Sequence, residues 1–343
     1  MCAACPTAIE VVVTTESIMC PTPPNPNASK ALAVALLCMS SACVDAEQRL
    51  SQTPLYDDIT TKTLADDVET YVPRFALWSD GLQKNRFVRL PPGERIDTSD
   101  MDAWRFPAGT EFYKEFMKDG RRLETRLQRK EADGSWTMVA YIWDDDESDA
   151  TLAPLGGLNL HGSAHDSPAV WDCAYCHGAS TKPLGFSAVQ LSHDDEGITL
   201  DVLADRNLLT QAPPSPIRLP GDALDQAVLG ALHVNCGSCH SDGGELSNLD
   251  LRLALQTDTL RAVEETPMFR TTVDVELGAP LHGKDVYIRR GRPDDSLIVH
   301  RMSNRGSDVQ MPPIATDVRD ERVVSMLEEW IRRLDDNDEG GQP

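Results

Sequence analysis

The chain has 343 residues, 41% apolar and 25% charged, a globular balance with room for two domains. Its 55 Asp and Glu against 32 Lys and Arg give a formal net charge of −23, which repels phosphate backbones and excludes nucleic acid as a partner. No apolar run approaches the roughly 20 residues of a membrane-spanning helix, which leaves a lipid anchor as the route to a membrane.

In chain order, residues 1–43 read as an export leader. Lys30, the apolar stretch Ala31 to Met39 and the small residues Ser40-Ser41-Ala42 before Cys43 follow the order of a secretory signal. The same segment reads as a lipoprotein site with Cys43 lipidated, and Met19 as an alternative translation start. The expected location is exported, in the periplasm or cell envelope. Residues 44–55 form a polar tether.

Residues 56–155 are strand-like. Phe87 to Leu90 and Glu111 to Phe116 are strand candidates, and Leu123 to Arg129 with Trp136 to Trp143 predict a hairpin joined by Glu131-Ala132-Asp133-Gly134-Ser135. Trp136, Met138, Ala140 and Ile142 alternate with Val139, Tyr141 and Trp143, so both faces are expected to be covered, as in a β-sandwich. Trp78, Trp104 and Trp136 read as core packing in preference to a carbohydrate surface. The acidic run Asp144 to Asp149 reads as a solvated turn rather than a calcium loop.

Residues 156–221 form a first heme-binding segment and 222–335 a second, helical one, with 336–343 a disordered tail. Asp222 predicts a capped helix carrying Leu224, Ala227, Val228, Ala231 and Leu232. Asp317 predicts a second, carrying Val323, Val324, Leu327, Trp330, Ile331 and Leu334. The expected fold class is therefore α+β in two domains: a β-sandwich-like module followed by a mainly α-helical, cytochrome c-like diheme domain.

Nine cysteines fall into five near the N-terminus and two Cys-x-x-Cys-His motifs, Cys173-Ala174-Tyr175-Cys176-His177 and Cys236-Gly237-Ser238-Cys239-His240. Two thiols two residues apart reach the two vinyl groups of one porphyrin, and the adjacent histidine supplies an axial nitrogen to its iron. A four-cysteine zinc site wants about 15–20 residues between its pairs, far fewer than separate Cys176 from Cys236. A disulfide needs no histidine after each pair. The expected cofactors are two covalent hemes c, on Cys173 and Cys176 and on Cys236 and Cys239, with His177 and His240 as iron ligands. Met311, in Gln310-Met311-Pro312-Pro313 before the last helix, stands where a class I cytochrome c carries its thioether ligand; Met302 reads as core. For the first heme the sixth ligand stays open among His161, His165, His193, His233, a remote Met and no ligand.

The chain resembles a family of exported bacterial diheme c-type cytochromes. The resemblance rests on Phe75-Ala76-Leu77-Trp78-Ser79-Asp80-Gly81, Leu90-Pro91-Pro92-Gly93, Lys114-Glu115-Phe116, Glu124-Thr125-Arg126, Leu184-Gly185-Phe186-Ser187, Leu232-His233-Val234-Asn235 and Met311-Pro312-Pro313. It spans residues 53–333 and implies two covalent hemes and electron transfer. The leading functional expectation is electron transfer at the cell envelope, to redox partner proteins that dock through a basic patch. A diheme peroxidase-like oxidoreductase with an open first heme, and a redox-sensing envelope binding protein, are the alternatives.

Overall fold

Alternating side chains build the first half into one antiparallel meander. The computed structural model describes residues 46–177, 183–314 and 316–336. The expected leader, Cys43 and the segment beyond Asp336 lie outside the described residues. A two-stranded ribbon, β1 (Tyr56–Asp58) with β2 (Thr63–Leu64), precedes a six-stranded sheet in sequential order. Its strands are β3 (Val68–Thr70), β4 (Gln83–Arg89), β5 (Glu111–Lys118), β6 (Arg121–Lys130), β7 (Trp136–Trp143) and β8 (Ala150–Leu152). The β6–β7 hairpin pairs Leu127 with Val139 and Thr125 with Tyr141, the register that keeps the two predicted faces apart.

One face buries Phe87, Tyr113, Leu127, Val139, Tyr141 and Trp143 under Leu50, Leu55 and Tyr56. The other buries Val88 and Phe112 under Phe106, Phe186, Leu191, Leu200 and Leu203. Its centre is an aromatic cluster in which the Phe112 ring lies 5.1 Å from Phe106 and 5.0 Å from Phe186, both edge-on, the arrangement that ring quadrupoles favour. Trp104 and Trp136 belong to this cluster, in keeping with core packing.

The sandwich expectation is corrected here. Both faces of the sheet are covered, but a short ribbon and non-strand chain cover one, and the segment around Phe186 to Leu209 covers the other. Period-two alternation reports that a face is buried, not what buries it.

The second half is also corrected: it is not a mainly helical, cytochrome c-like domain. Two helices there are long, α4 (Ala223–Cys236) and α7 (Glu321–Asp336). The others described, α1 (Cys173–His177), α2 (Ala188–Leu191), α3 (Leu200–Asp205), α5 (Pro267–Thr272) and α6 (Leu297–Ser303), have four to seven residues. Between α4 and α7 the chain forms turns and a further ribbon, β9 (Glu276–Leu281) with β10 (Lys284–Val286). Pro267 opens α5 at its first position, where the missing N–H is tolerated.

The two long helices start where a carboxylate caps them. Asp222 Oδ1 accepts from the backbone N–H of Leu224 and Asp225 at 2.9 and 3.1 Å. Asp320, rather than the expected Asp317, caps α7 by accepting from Val323 N at 3.1 Å. Val228, Leu229 and Leu232 of α4 pack with Val324, Leu327, Trp330 and Ile331 of α7, each contributing about 1.5–3 kcal/mol on full burial. Trp330 Nε1 donates to Asp225 Oδ1 at 2.9 Å and Arg333 pairs with Asp222 and Asp225, locking α7 across the start of α4.

A strap formed by residues 73–80 joins the sheet to α4. Arg74 N and Phe75 N donate to the backbone and side chain of buried Gln190, at 2.7 and 2.9 Å. The Phe75 ring then lies on Gly230 of α4, so close that a Cβ there would stand 2.1 Å from Phe75 Cε1. Gly230→Ala is expected to destabilise the protein by about 1–3 kcal/mol through overpacking. Denaturant unfolding checks this: an unchanged midpoint would show that Phe75 swings away freely.

Candidate functional site

Helices α1 and α4 bring the two Cys-x-x-Cys-His motifs to one place. Cys173 to His177 form α1 itself, entered through a 3-10 turn at Val170–Asp172. Cys236 ends α4, and the chain turns on so that His240 N donates to Cys236 O at 2.9 Å. The Cys239 thiol lies 2.9 Å from the backbone oxygen of Tyr175, so one motif touches the other. Gly237 is required inside the second motif, because a Cβ would stand 2.6 Å from His233 O and 2.9 Å from Ala254 Cα.

All four cysteines and both motif histidines line a single cavity of about 770 Å3, otherwise walled mainly by apolar side chains. This volume lies within the range of cofactor pockets, about 300–1,000 Å3. Met311 is also on the wall. Its loop is fixed from both sides. Met311 N donates to Arg301 O at 3.0 Å, Arg301 Nε donates to Val309 O at 3.0 Å, and the Gln310 amide donates to Pro312 O and Thr316 O at 3.1 Å.

Burial raises all four thiol pKa values. Cys176 is pushed up to about 11 and Cys236 to about 12, and Cys173 and Cys239 move the same way. At neutral pH these groups are protonated, the opposite of the activated thiolate that a thiol–disulfide catalyst needs. Burial, with Arg301 and Arg252 nearby, lowers His240 to about 4, which keeps a lone pair available for a metal at neutral pH. Its Nδ1 is buried without a partner.

The four histidines left open for the first heme lie off this cavity wall. His165 Nε2 bonds Glu124 Oε1 at 2.7 Å, and His161 Nδ1 meets Asp145 at 3.2 Å. His193 Nδ1 accepts from Asp195 N at 3.1 Å, and His233 Nδ1 accepts from Leu255 N at 3.1 Å.

Three sets of wall residues escaped the sequence reading. Met302 is core, as expected, but also lines the cavity, and Met138 of β7 joins it. Lys114 and Arg126 bring charge to the wall; charged residues within strands that are apolar on both faces were the available signal. Trp78, read as a core residue beside a turn, is on the wall and clamps the site. Its backbone N–H donates to Asn235 Oδ1 at 2.8 Å and its indole N–H to Val318 O at 2.7 Å, while Val318 N donates to Asp80 at 2.8 Å. The turn therefore ties the end of α4 to the segment that follows Met311.

Compared with models of known protein families, with curated proteins and with solved structures, the chain matches none.

The functional expectation is corrected by the geometry. Among the described residues no group of three or more His, Cys, Asp or Glu comes together that could hold a metal ion. These side chains by themselves build no metal centre for electron transfer at the cell envelope, for a peroxidase-like reaction or for redox sensing. Among the described residues no helix is long and apolar enough to cross a membrane.

Proposed function

We propose that the chain is a heme-binding protein that holds two hemes covalently, on Cys173 and Cys176 and on Cys236 and Cys239, in one cavity. The observation that carries this reading is that both motifs, remote in sequence, line the same largely apolar space together with Met311. A heme brings its iron already chelated by the ring nitrogens, so the protein has only to add thioether attachment and axial donors. His177 and His240 would supply imidazole nitrogens, and Met311 a thioether sulfur at the second site. The protonated thiols fit addition across vinyl groups, where each S–H is consumed, better than they fit thiolate catalysis. When bound, the heme would supply an iron whose ligand binding and potential are set by these donors and by the mainly apolar walls.

Expressed in full length with a heme-attachment system, the chain is expected to gain two heme masses that survive denaturation, read by intact-mass spectrometry. Met311→Ala should retain both and shift the absorption spectrum of the ferric form. A chain that leaves the system with no added mass overturns the reading.

A further inference from the structure

Arg86 of β4, Lys114 of β5 and Arg126 of β6 stand directly opposite one another in register, a row of three cations across adjacent strands. Like charges at directly paired positions repel, and a sheet does not gather them without a reason. Arg86 is buried, and Lys114 and Arg126 face the cavity. Lys84, one register pair further along β4, adds a fourth cation, its ammonium held by Leu77 O at 2.6 Å. The strand carboxylates on the same face are Glu124, already bonded to Arg126 and His165, and Glu69 of β3, already bonded to Arg206.

The acidic residues elsewhere on the cavity wall, Asp172 and Glu245, belong to the motif segments. The Asp172 carboxylate is bonded locally to Ala169 N at 3.1 Å. Burial and the surrounding cations push the Lys114 ammonium well below its ordinary range, and Lys84 down to about 7. Arg126 is paired with Glu124, whereas among the described residues no carboxylate is bonded to Arg86 or Lys114, and Lys114 stands on the cavity wall with Arg126.

We infer that Lys114 and Arg126, backed by Arg86 and Lys84, form a carboxylate-binding wall that receives the acidic groups of whatever occupies the cavity. If the heme reading above holds, on which this identification of the ligand rests, these groups are the propionates of an attached heme. The chemistry required is a carboxylate in a desolvated site, where a charge-assisted hydrogen bond is stronger than at a surface.

The test uses the full-length chain, kept reduced and expressed without a heme-attachment system, titrated with ferric protoporphyrin IX and with its dimethyl ester. The free acid is expected to bind at least about tenfold more tightly, and Lys114→Met to remove most of that preference. Lys114→Arg should restore it. Lys114→Met should also raise the apparent melting temperature of the ligand-free chain, since it deletes one of several crowded like charges; that rise separates loss of the site from loss of the fold. Equal binding of acid and ester by the unaltered chain overturns the inference and leaves the heme reading standing. If neither porphyrin binds, benzene-1,3,5-tricarboxylate decides. Thermal stabilisation of the unaltered chain but not of Lys114→Met then supports the wall as a site for a free carboxylate, and no stabilisation of either overturns it.

Discussion

Replacing Cys236 and Cys239 together by Ala is expected to remove one of the two proposed covalent hemes and leave the other in place. The two motifs sit on separate helices with separate supports. Cys173 and Cys176 are carried on α1, whose entry is held by Ala169 N donating to Asp172 at 3.1 Å. The second pair hangs from α4, capped by Asp222 and locked by Trp330 and Arg333 of α7. A hydrogen bond between them is made by the Cys239 thiol to the backbone oxygen of Tyr175, a weak donor whose loss costs little. Intact-mass spectrometry after expression with a heme-attachment system should show one heme mass for this variant and likewise for Cys173→Ala/Cys176→Ala. The quadruple variant should show none. Retention of both heme masses in either double variant would show that the thiols are not the attachment points. Loss of both hemes from each double variant would show instead that the motifs act as one unit, one heme shaping the cavity for the other.

The parts of this architecture that are legible in the sequence are those set by short-range rules. Asp222 before a helical stripe marks α4, and the alternation from Trp136 to Trp143 marks β7. The two Cys-x-x-Cys-His motifs are legible because each is a pattern complete within five residues. What the sequence leaves hidden depends on register or on distant partners. The row of Arg86, Lys114 and Arg126 exists because β4, β5 and β6 pair in one register rather than another. Each of these residues alone looks like an ordinary strand charge. The layer over the sheet is hidden for a related reason. Phe186 and Leu191 are core residues carried on a loop and a four-residue helix, elements too short to leave a periodic signature.

His165 shows the same limit at a single residue. Its place shortly before Cys173 suggests a chain that could wrap over a ring, whereas its partner, Glu124, comes from β6. Trp78 is the converse case. A Trp-Ser-Asp-Gly turn reads as punctuation, yet its indole and the neighbouring Asp80 join two segments of the cavity wall that are far apart in sequence.

Glu124→Ala is expected to cost about 3–5 kcal/mol, the scale for removing one partner of a buried ion pair. The carboxylate is completely buried in β6 and serves two partners through one oxygen, Arg126 Nε at 2.9 Å and His165 Nε2 at 2.7 Å. Arg126 and His165 both stack on Phe116, at 4.3 and 5.2 Å from the ring centre, so the four side chains form one packed unit. Without Glu124 the Arg126 charge joins the uncompensated row on the cavity wall, and the His165 ring loses its acceptor. Burial alone would raise the Glu124 carboxyl, but Arg126 and His165 outweigh it and hold the group at about 2, below its ordinary 4.5. A carboxyl depressed on folding stabilises the native state fully above its unfolded value and loses that contribution as pH falls through the folded one. The window therefore runs from about pH 4.5 down to about pH 2, and the contribution at stake is about 3 kcal/mol. Urea unfolding at neutral pH should show the loss in Glu124→Ala directly. Repeated across that window, the difference between the unaltered chain and Glu124→Gln should shrink as the pH drops. A difference that stayed constant to pH 2 would mean that the pair is held by packing on Phe116 rather than by charge.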